Sequence, residues 1–209
     1  NLVHNFEEYL GGLCSKMNLA LEKVNLLSER FNKTIIHEWN STKIAYAKVS
    51  SVVELINKQV KRYPDSCAVE CCSEHITYKI LNERCNFLAS CLLARKVQKG
   101  ERVGILLDRS IDMIVALIAT LKVGAAYVPL DPSYPKERLT YMLDDASVST
   151  LITCFRYEHM FDIPTKILID HNDVNFQQTS REYKDVSVKA TDIAYVIYTS
   201  GSTGNPKGV

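Results

Sequence analysis

An excess of charge of either sign is nearly absent from this sequence. Twenty-five Lys and Arg residues stand against 24 Asp and Glu, a formal net charge of +1 over 209 residues. The basic side chains are scattered rather than clustered. Nucleic acids and anionic membranes attract proteins through basic patches, so neither is an expected partner. Long apolar runs are missing too. The longest, around Met113 to Leu121, falls well short of the ~20 residues that span a bilayer. The seven cysteines (Cys14, Cys67, Cys71, Cys72, Cys85, Cys91 and Cys154) are odd in number and show no paired CxxC spacing. His4, His37, His75, His159 and His171 are isolated. No metal site is expected from such a set.

Cys67, Cys71, Cys85 and Cys91 sit among apolar neighbours, where a thiol behaves as a small core residue, and a reducing, cytoplasmic setting is expected. Two glycosylation sequons begin at Asn32 and Asn40; no secretory leader is visible, and both are read as accidental. Internal repeats and low-complexity blocks are also absent. What is present is an ordinary composition, 46% hydrophobic and 23% charged, over a length that allows one large domain or two modest ones.

The first fifty residues differ from the rest. Phe6, Leu10, Leu13 and Met17 recur at helical spacing. The stretch from Asn25 to Ser50 is polar, holds no convincing strand, and reads as a connector with Trp39 as a packing anchor. From Ser51 the pattern is regular. A Ser-capped helix carries Val52, Val53, Ile56 and Val60 and ends at Tyr63-Pro64. "CAVECCSEHITY" reads as a hairpin. "KILNERCNFLASCLLARK" is a helix with Ile80, Leu81, Cys85, Leu88 and Leu92 on one stripe.

"RVGILL" lacks alternation, as a strand buried on both faces does. "SIDMIVALIATLKVG" has a Ser cap and a Gly stop. "AYVPL", "VSTLIT", "KILI" and "DIAYVIYTS" add strands, and "PKERLTYMLDDA" a helix. Strands alternating with helices predict parallel βαβ units and an α/β fold. Ligands in such folds sit beyond the carboxyl ends of the strands.

"YTSGSTGNPKGV", Tyr198 to Val209, follows the last predicted strand. Gly201, Gly204 and Gly208 let backbone N–H groups approach an anion closely. Thr199, Ser200, Ser202 and Thr203 add hydroxyl donors, and Lys207 a point charge suited to a phosphate oxygen. A Gly/Ser linker or a strand-to-strand turn is the bland alternative. The P-loop G-x-x-x-x-G-K-[ST] fails at two positions, because Pro206 stands at its second Gly and Gly208 at its hydroxyl residue.

Across its whole length this loop resembles the phosphate loop of adenylate-forming enzymes. "LKVGAAYVPLDPSYPKERLTYMLDDA", residues 121–146, is similar to a stretch of the adenylation domains of nonribosomal peptide synthetases. Val123 and Ala125 depart from its usual Ala and Gly. "ITYKILNERCNFLA" resembles the family's early helix, departing at Ile80, Cys85 and Phe87. "LLSERFNKTIIHEWNST" resembles the connector between condensation and adenylation domains; beyond it, Ala47 stands in place of a frequent proline and Ile56 in place of a usual Phe.

The resemblance implies an α/β fold: alternating strands and helices forming part of the large N-terminal subdomain of an adenylate-forming enzyme, behind a helical or irregular linker. It implies the end of a condensation domain at 1–25, a connector at 26–50 and an incomplete AMP-binding adenylation domain at 51–209. The implied activity is ATP-dependent amino-acid adenylation, with Mg2+, for loading onto a phosphopantetheine carrier. Condensation and carrier domains of the same parent chain are the implied partners. Thr199, Ser200, Gly201, Ser202, Thr203, Gly204 and Lys207 are the implied ATP-phosphate contacts. No catalytic residue is assigned, and the segment alone is expected to be inactive, with an open sheet edge. An acyl-CoA synthetase and a non-catalytic nucleotide-binding scaffold are the alternatives. Residues 121–146 otherwise read as structural, with Asp131 bracing a proline-rich turn and Asp144 and Asp145 at a solvated helix end.

Overall fold

The computed structural model describes residues 2–15, 29–44, 51–169, 183, 186–199 and 206–209. The chain divides into two compact units, Asn1–Lys48 and Val49–Val209.

In the first unit, α1 (Leu2–Ser15) precedes α2 (Glu29–Lys33), which runs on into a π-helical turn, Thr34–Glu38. Asn40 closes that turn, its Nδ2 donating to the carbonyls of Ile35 and Ile36 at 2.7 and 3.1 Å. Helical spacing locates α1, yet Phe6 and Leu10 are exposed, and Met17 lies outside the described residues. Trp39 is 64% exposed and meets Phe31 edge-on, with ring centroids 6.1 Å apart. It is a surface contact of its own helix rather than a buried anchor.

The second unit begins with α3 (Val52–Arg62), where the Ser51 hydroxyl accepts from the Glu54 amide. Val53 is buried but Val52 is exposed, so only part of the predicted stripe faces inward. β1 (Cys67–Cys71) and β2 (Glu74–Thr77) form the antiparallel hairpin. Next come α4 (Tyr78–Ala94), β3 (Arg102–Leu106), α5 (Ile111–Lys122), β4 (Ala126–Leu130), α6 (Lys136–Asp145), β5 (Thr150–Thr153) and β6 (Thr165–Leu168). The last four strands make a parallel sheet in the order β4-β3-β5-β6.

Sterics and burial explain this layout. Val103, Ile105 and Leu107 face α4 and α5, and Leu106 faces α6 with Leu139, Leu143 and Leu151. A strand covered on both faces has no polar side, hence the unalternated run. Gly104 lies under α6, where a Cβ would meet Leu151 Cδ1 at 3.0 Å and Val148 Cγ1 at 3.1 Å. α5 stops at Gly124, whose φ of +74° needs glycine. On α4 the buried stripe is Leu81, Cys85, Leu88, Ala89 and Leu92; Ile80 is off it and exposed.

Among the cysteines only part of the expectation holds. Cys85 is buried, Cys71 and Cys91 are half-buried, and Cys67 is exposed at the hairpin's start. Burial pushes the Cys85 thiol up to about 12, against the opposing influence of Lys122 and Arg84.

Two polar contacts knit the helices. Arg84 of α4 and Asp112 in the first turn of α5 form an ion pair with both side chains largely buried. Lys122, 2% exposed at the end of α5, donates to Oδ1 of Asn82 and Asn86 at 2.8 Å and of Asn57 at 3.3 Å. Its carbonyl accepts from the Tyr183 hydroxyl at 2.6 Å. No helix among the described residues is long and apolar enough to cross a membrane.

Candidate functional site

The predicted strand "DIAYVIYTS" forms differently from a full sheet member. It joins the outer edge of β4 at one parallel bridge, Tyr127 with Tyr195. There the Tyr127 amide donates to the Ala194 carbonyl at 3.1 Å, and the Val196 amide to the Tyr127 carbonyl at 3.0 Å. The next donor on that edge belongs to residue 129, which is proline and has no N–H. The ladder stops, and the chain pairs with itself instead.

β7 (Tyr198–Thr199) and β8 (Lys207–Gly208) are antiparallel, with Tyr198 opposite Gly208 and Thr199 opposite Lys207. Ile197 and Val209 extend the pairing by exchanging amide hydrogen bonds at 2.9 and 3.0 Å. Directly opposed side chains on antiparallel strands share a face, with Cβ atoms about 5 Å apart. Thr199 and Lys207, both exposed, therefore stand side by side at the mouth of the loop. Ser200, Gly201, Ser202, Thr203 and Gly204 lie outside the described residues. The strand-to-strand turn weighed as a bland alternative is thus the scaffold of the candidate site itself.

From residue 192 to 199 the chain alternates half-buried and exposed positions. Ile193, Tyr195 and Ile197 are exposed, while Val196 and Tyr198 pack on the α6 side of the sheet. The Tyr198 hydroxyl donates to Asp145 Oδ2 at 2.5 Å. Burial, followed by the Asp145 hydrogen bond, raises the Tyr198 phenol above its ordinary value. Asp145 thus has a specific partner, where the sequence suggests only a solvated helix end.

Beside the hairpin, the carboxyl ends of β3 and β4 open into a cleft of about 430 Å³. Asp108, Arg109, Asp131, Tyr134, Ile197 and Tyr198 are among its walls. Asp131 braces the turn as expected: its Oδ1 accepts from the Ser133 amide at 2.9 Å. The Ser133 bonds hold its carboxyl below the usual carboxylate range. Asp108 accepts from the Tyr157 hydroxyl at 3.0 Å. Asp108 and Arg109 are absent from the sequence-derived set, although their place just after a doubly covered strand is the signal that could have found them.

Comparison with known proteins shows the family and the fold. The family model described as AMP-binding enzyme matches residues 56–209. Bacitracin synthase 1 of Bacillus licheniformis is 36% identical over 208 residues, covering 100% of this chain and 4% of that protein. Gramicidin S synthase 2 of Brevibacillus brevis is 35% identical over 208 residues, covering 100% of this chain and 5% of that protein. The chain therefore spans only a few per cent of these relatives' length. Among solved structures, the N-terminal subdomain of Klebsiella oxytoca NpsA with 3-hydroxyanthranilyl-AMSN superposes with a TM-score of 0.66 at 28% identity, covering 77% of this chain and 40% of that one.

Proposed function

This chain belongs to the AMP-binding enzyme family, and from that premise we propose that it is the early part of a nonribosomal peptide synthetase adenylation domain. Residues 1–25 are proposed as the end of a condensation domain, 26–50 as the connector and 51–209 as the adenylation portion. The reaction is amino-acid activation. A carboxylate oxygen attacks the α-phosphorus of Mg-ATP, the bond to the β-phosphate oxygen breaks, and pyrophosphate leaves. The carrier's phosphopantetheine thiol then attacks the aminoacyl carbon, and AMP departs.

Thr199, Ser200, Gly201, Ser202, Thr203, Gly204 and Lys207 are proposed to hold the β- and γ-phosphates and release them with pyrophosphate. The observation that carries this reading is the pairing of Thr199 with Lys207. It sets a hydroxyl and an ammonium together at the mouth of a Gly- and Ser-rich loop, next to the carboxyl ends of the sheet. Such fixed donors act through position and charge neutralisation rather than covalent chemistry. The divalent ion enters with the nucleotide, as part of the Mg-ATP substrate.

The test is amino-acid-dependent exchange of labelled pyrophosphate into ATP by the protein at its full natural length. Exchange with at least one amino acid is expected. Exchange driven by fatty acids alone would move the reading to an acyl-CoA ligase, and none with either would remove it.

A further inference from the structure

The hairpin that carries the loop has a small footprint on the sheet. Its strands are two residues each, and its upstream segment meets β4 at the single Tyr127–Tyr195 bridge. Thr199 and Lys207 on such a support turn with it. Tyr198, the residue before Thr199, faces the other way from Thr199 and Lys207 because successive strand residues alternate.

Its ring lies across the hairpin on Gly208. A Cβ at that position would meet the ring at 3.2 Å and Val196 Cγ1 at 3.0 Å, so glycine there leaves the phenol its place. The same ring packs against the cluster that holds Leu139 and Leu143 of α6 and Leu151 of β5. Its hydroxyl reaches Asp145, the last residue of α6. A carboxylate at a helix C-terminus is opposed by the helix dipole, and a phenol donor offsets that opposition. Burial of the phenol keeps its proton in place for this bond.

Resting on the phosphate-loop reading above, we propose that Tyr198 and Asp145 are positioning residues: together they fasten the β7/β8 hairpin to α6 and set the orientation of Thr199 and Lys207. Neither touches the nucleotide. They act through the orientation of Thr199 and Lys207 on the opposite face of the same two strands.

The test uses Tyr198→Phe, Asp145→Ala and Asp145→Asn in the protein at full natural length, with two readouts. The first is hydrogen exchange at the Ile197 and Val209 amides, which requires no activity. The second is KM for ATP, set beside KM for the amino acid, in pyrophosphate exchange. Tyr198→Phe keeps the ring and its packing, so it reports on the hydroxyl alone. Both Tyr198→Phe and Asp145→Ala are expected to speed exchange at the two amides and to raise the ATP KM about tenfold, the effect of one charge-assisted hydrogen bond. The amino-acid KM should stay within about twofold, since Tyr198 acts on the phosphate side. Asp145→Asn retains an acceptor oxygen without the charge and should recover part of both readouts. Unchanged amide exchange, unchanged ATP KM, or an Asn variant as impaired as the Ala variant would each overturn the proposal. A wild-type protein that uses no ATP would show instead, before any variant is compared, that the phosphate-loop reading is wrong.

Discussion

Replacing Lys207 with alanine is expected to lower kcat/KM for ATP by about a hundredfold, the effect of removing one preorganised charge-stabilising donor. Lys207 is exposed on β8, opposite Thr199, so its ammonium supports no part of the core. Melting should therefore move little, a surface change being worth within about 0.5 kcal/mol. The combination separates function from folding: activity falls while Tm holds. Much of the loss should fall on interactions with the leaving pyrophosphate, where negative charge collects. Lys207→Arg keeps the charge but spreads it over a wider fork, and should recover part of the activity. The check is pyrophosphate-exchange kinetics at constant ionic strength, because exposed charges are screened by salt. A loss smaller than tenfold would place the essential charge elsewhere.

Asp112→Ala should produce the largest loss of stability. Asp112 and Arg84 lie on facing helices, with side-chain exposures of 9% and 16%. Removing one member of a buried pair leaves the other poorly solvated, which costs about 3 kcal/mol at the low end of the usual range. For a chain of this size that corresponds to a drop of about 6 to 12 °C in Tm. The low end is appropriate because the guanidinium retains some access to water. Arg84→Met with Asp112→Leu removes both charges and should return to within about 1 kcal/mol of the parent, since hydrophobic replacement of a buried pair is often neutral. Urea unfolding of the single and double variants measures the coupling. A single variant that loses less than about 1 kcal/mol would show that the pair behaves as a surface contact.

Local chemistry made the parallel sheet readable from the residues alone. The unalternated run 102–107 marks a strand covered on both faces, Ser51 and Ser110 mark helix starts, and Gly124 marks a stop. Each signal acts within a few residues. The candidate site is legible only in its chemical composition. That Thr199 would stand opposite Lys207 depends on a hairpin, and the hairpin depends on Pro129 denying the outer strand its next amide donor. Tyr198 and Asp145 are 53 residues apart, and no periodicity links them. Exposure within the helices was read least well. Val52, Ile80, Phe6 and Leu10 all fit apolar spacing and all face outward, because spacing defines a face without saying what covers it.

The three asparagines around Lys122 predict an order in which the second unit comes apart. Two of the ammonium's bonds run to α4 at 2.8 Å, and the third runs to α3 at 3.3 Å. If α3 lifts away, water can replace Asn57 and the charge remains solvated on its open side. If α4 and α5 separate, the ammonium loses both short bonds and the neighbouring ion pair breaks with it. α3 is thus expected to open as a sub-global unit, and α4 with α5 to unfold only with the whole domain. In native-state hydrogen exchange, α3 amides should respond to low denaturant while those of α5 follow the global transition. A pull on the N-terminal end of α3 is therefore expected to release that helix before any strain reaches the α4–α5 pair.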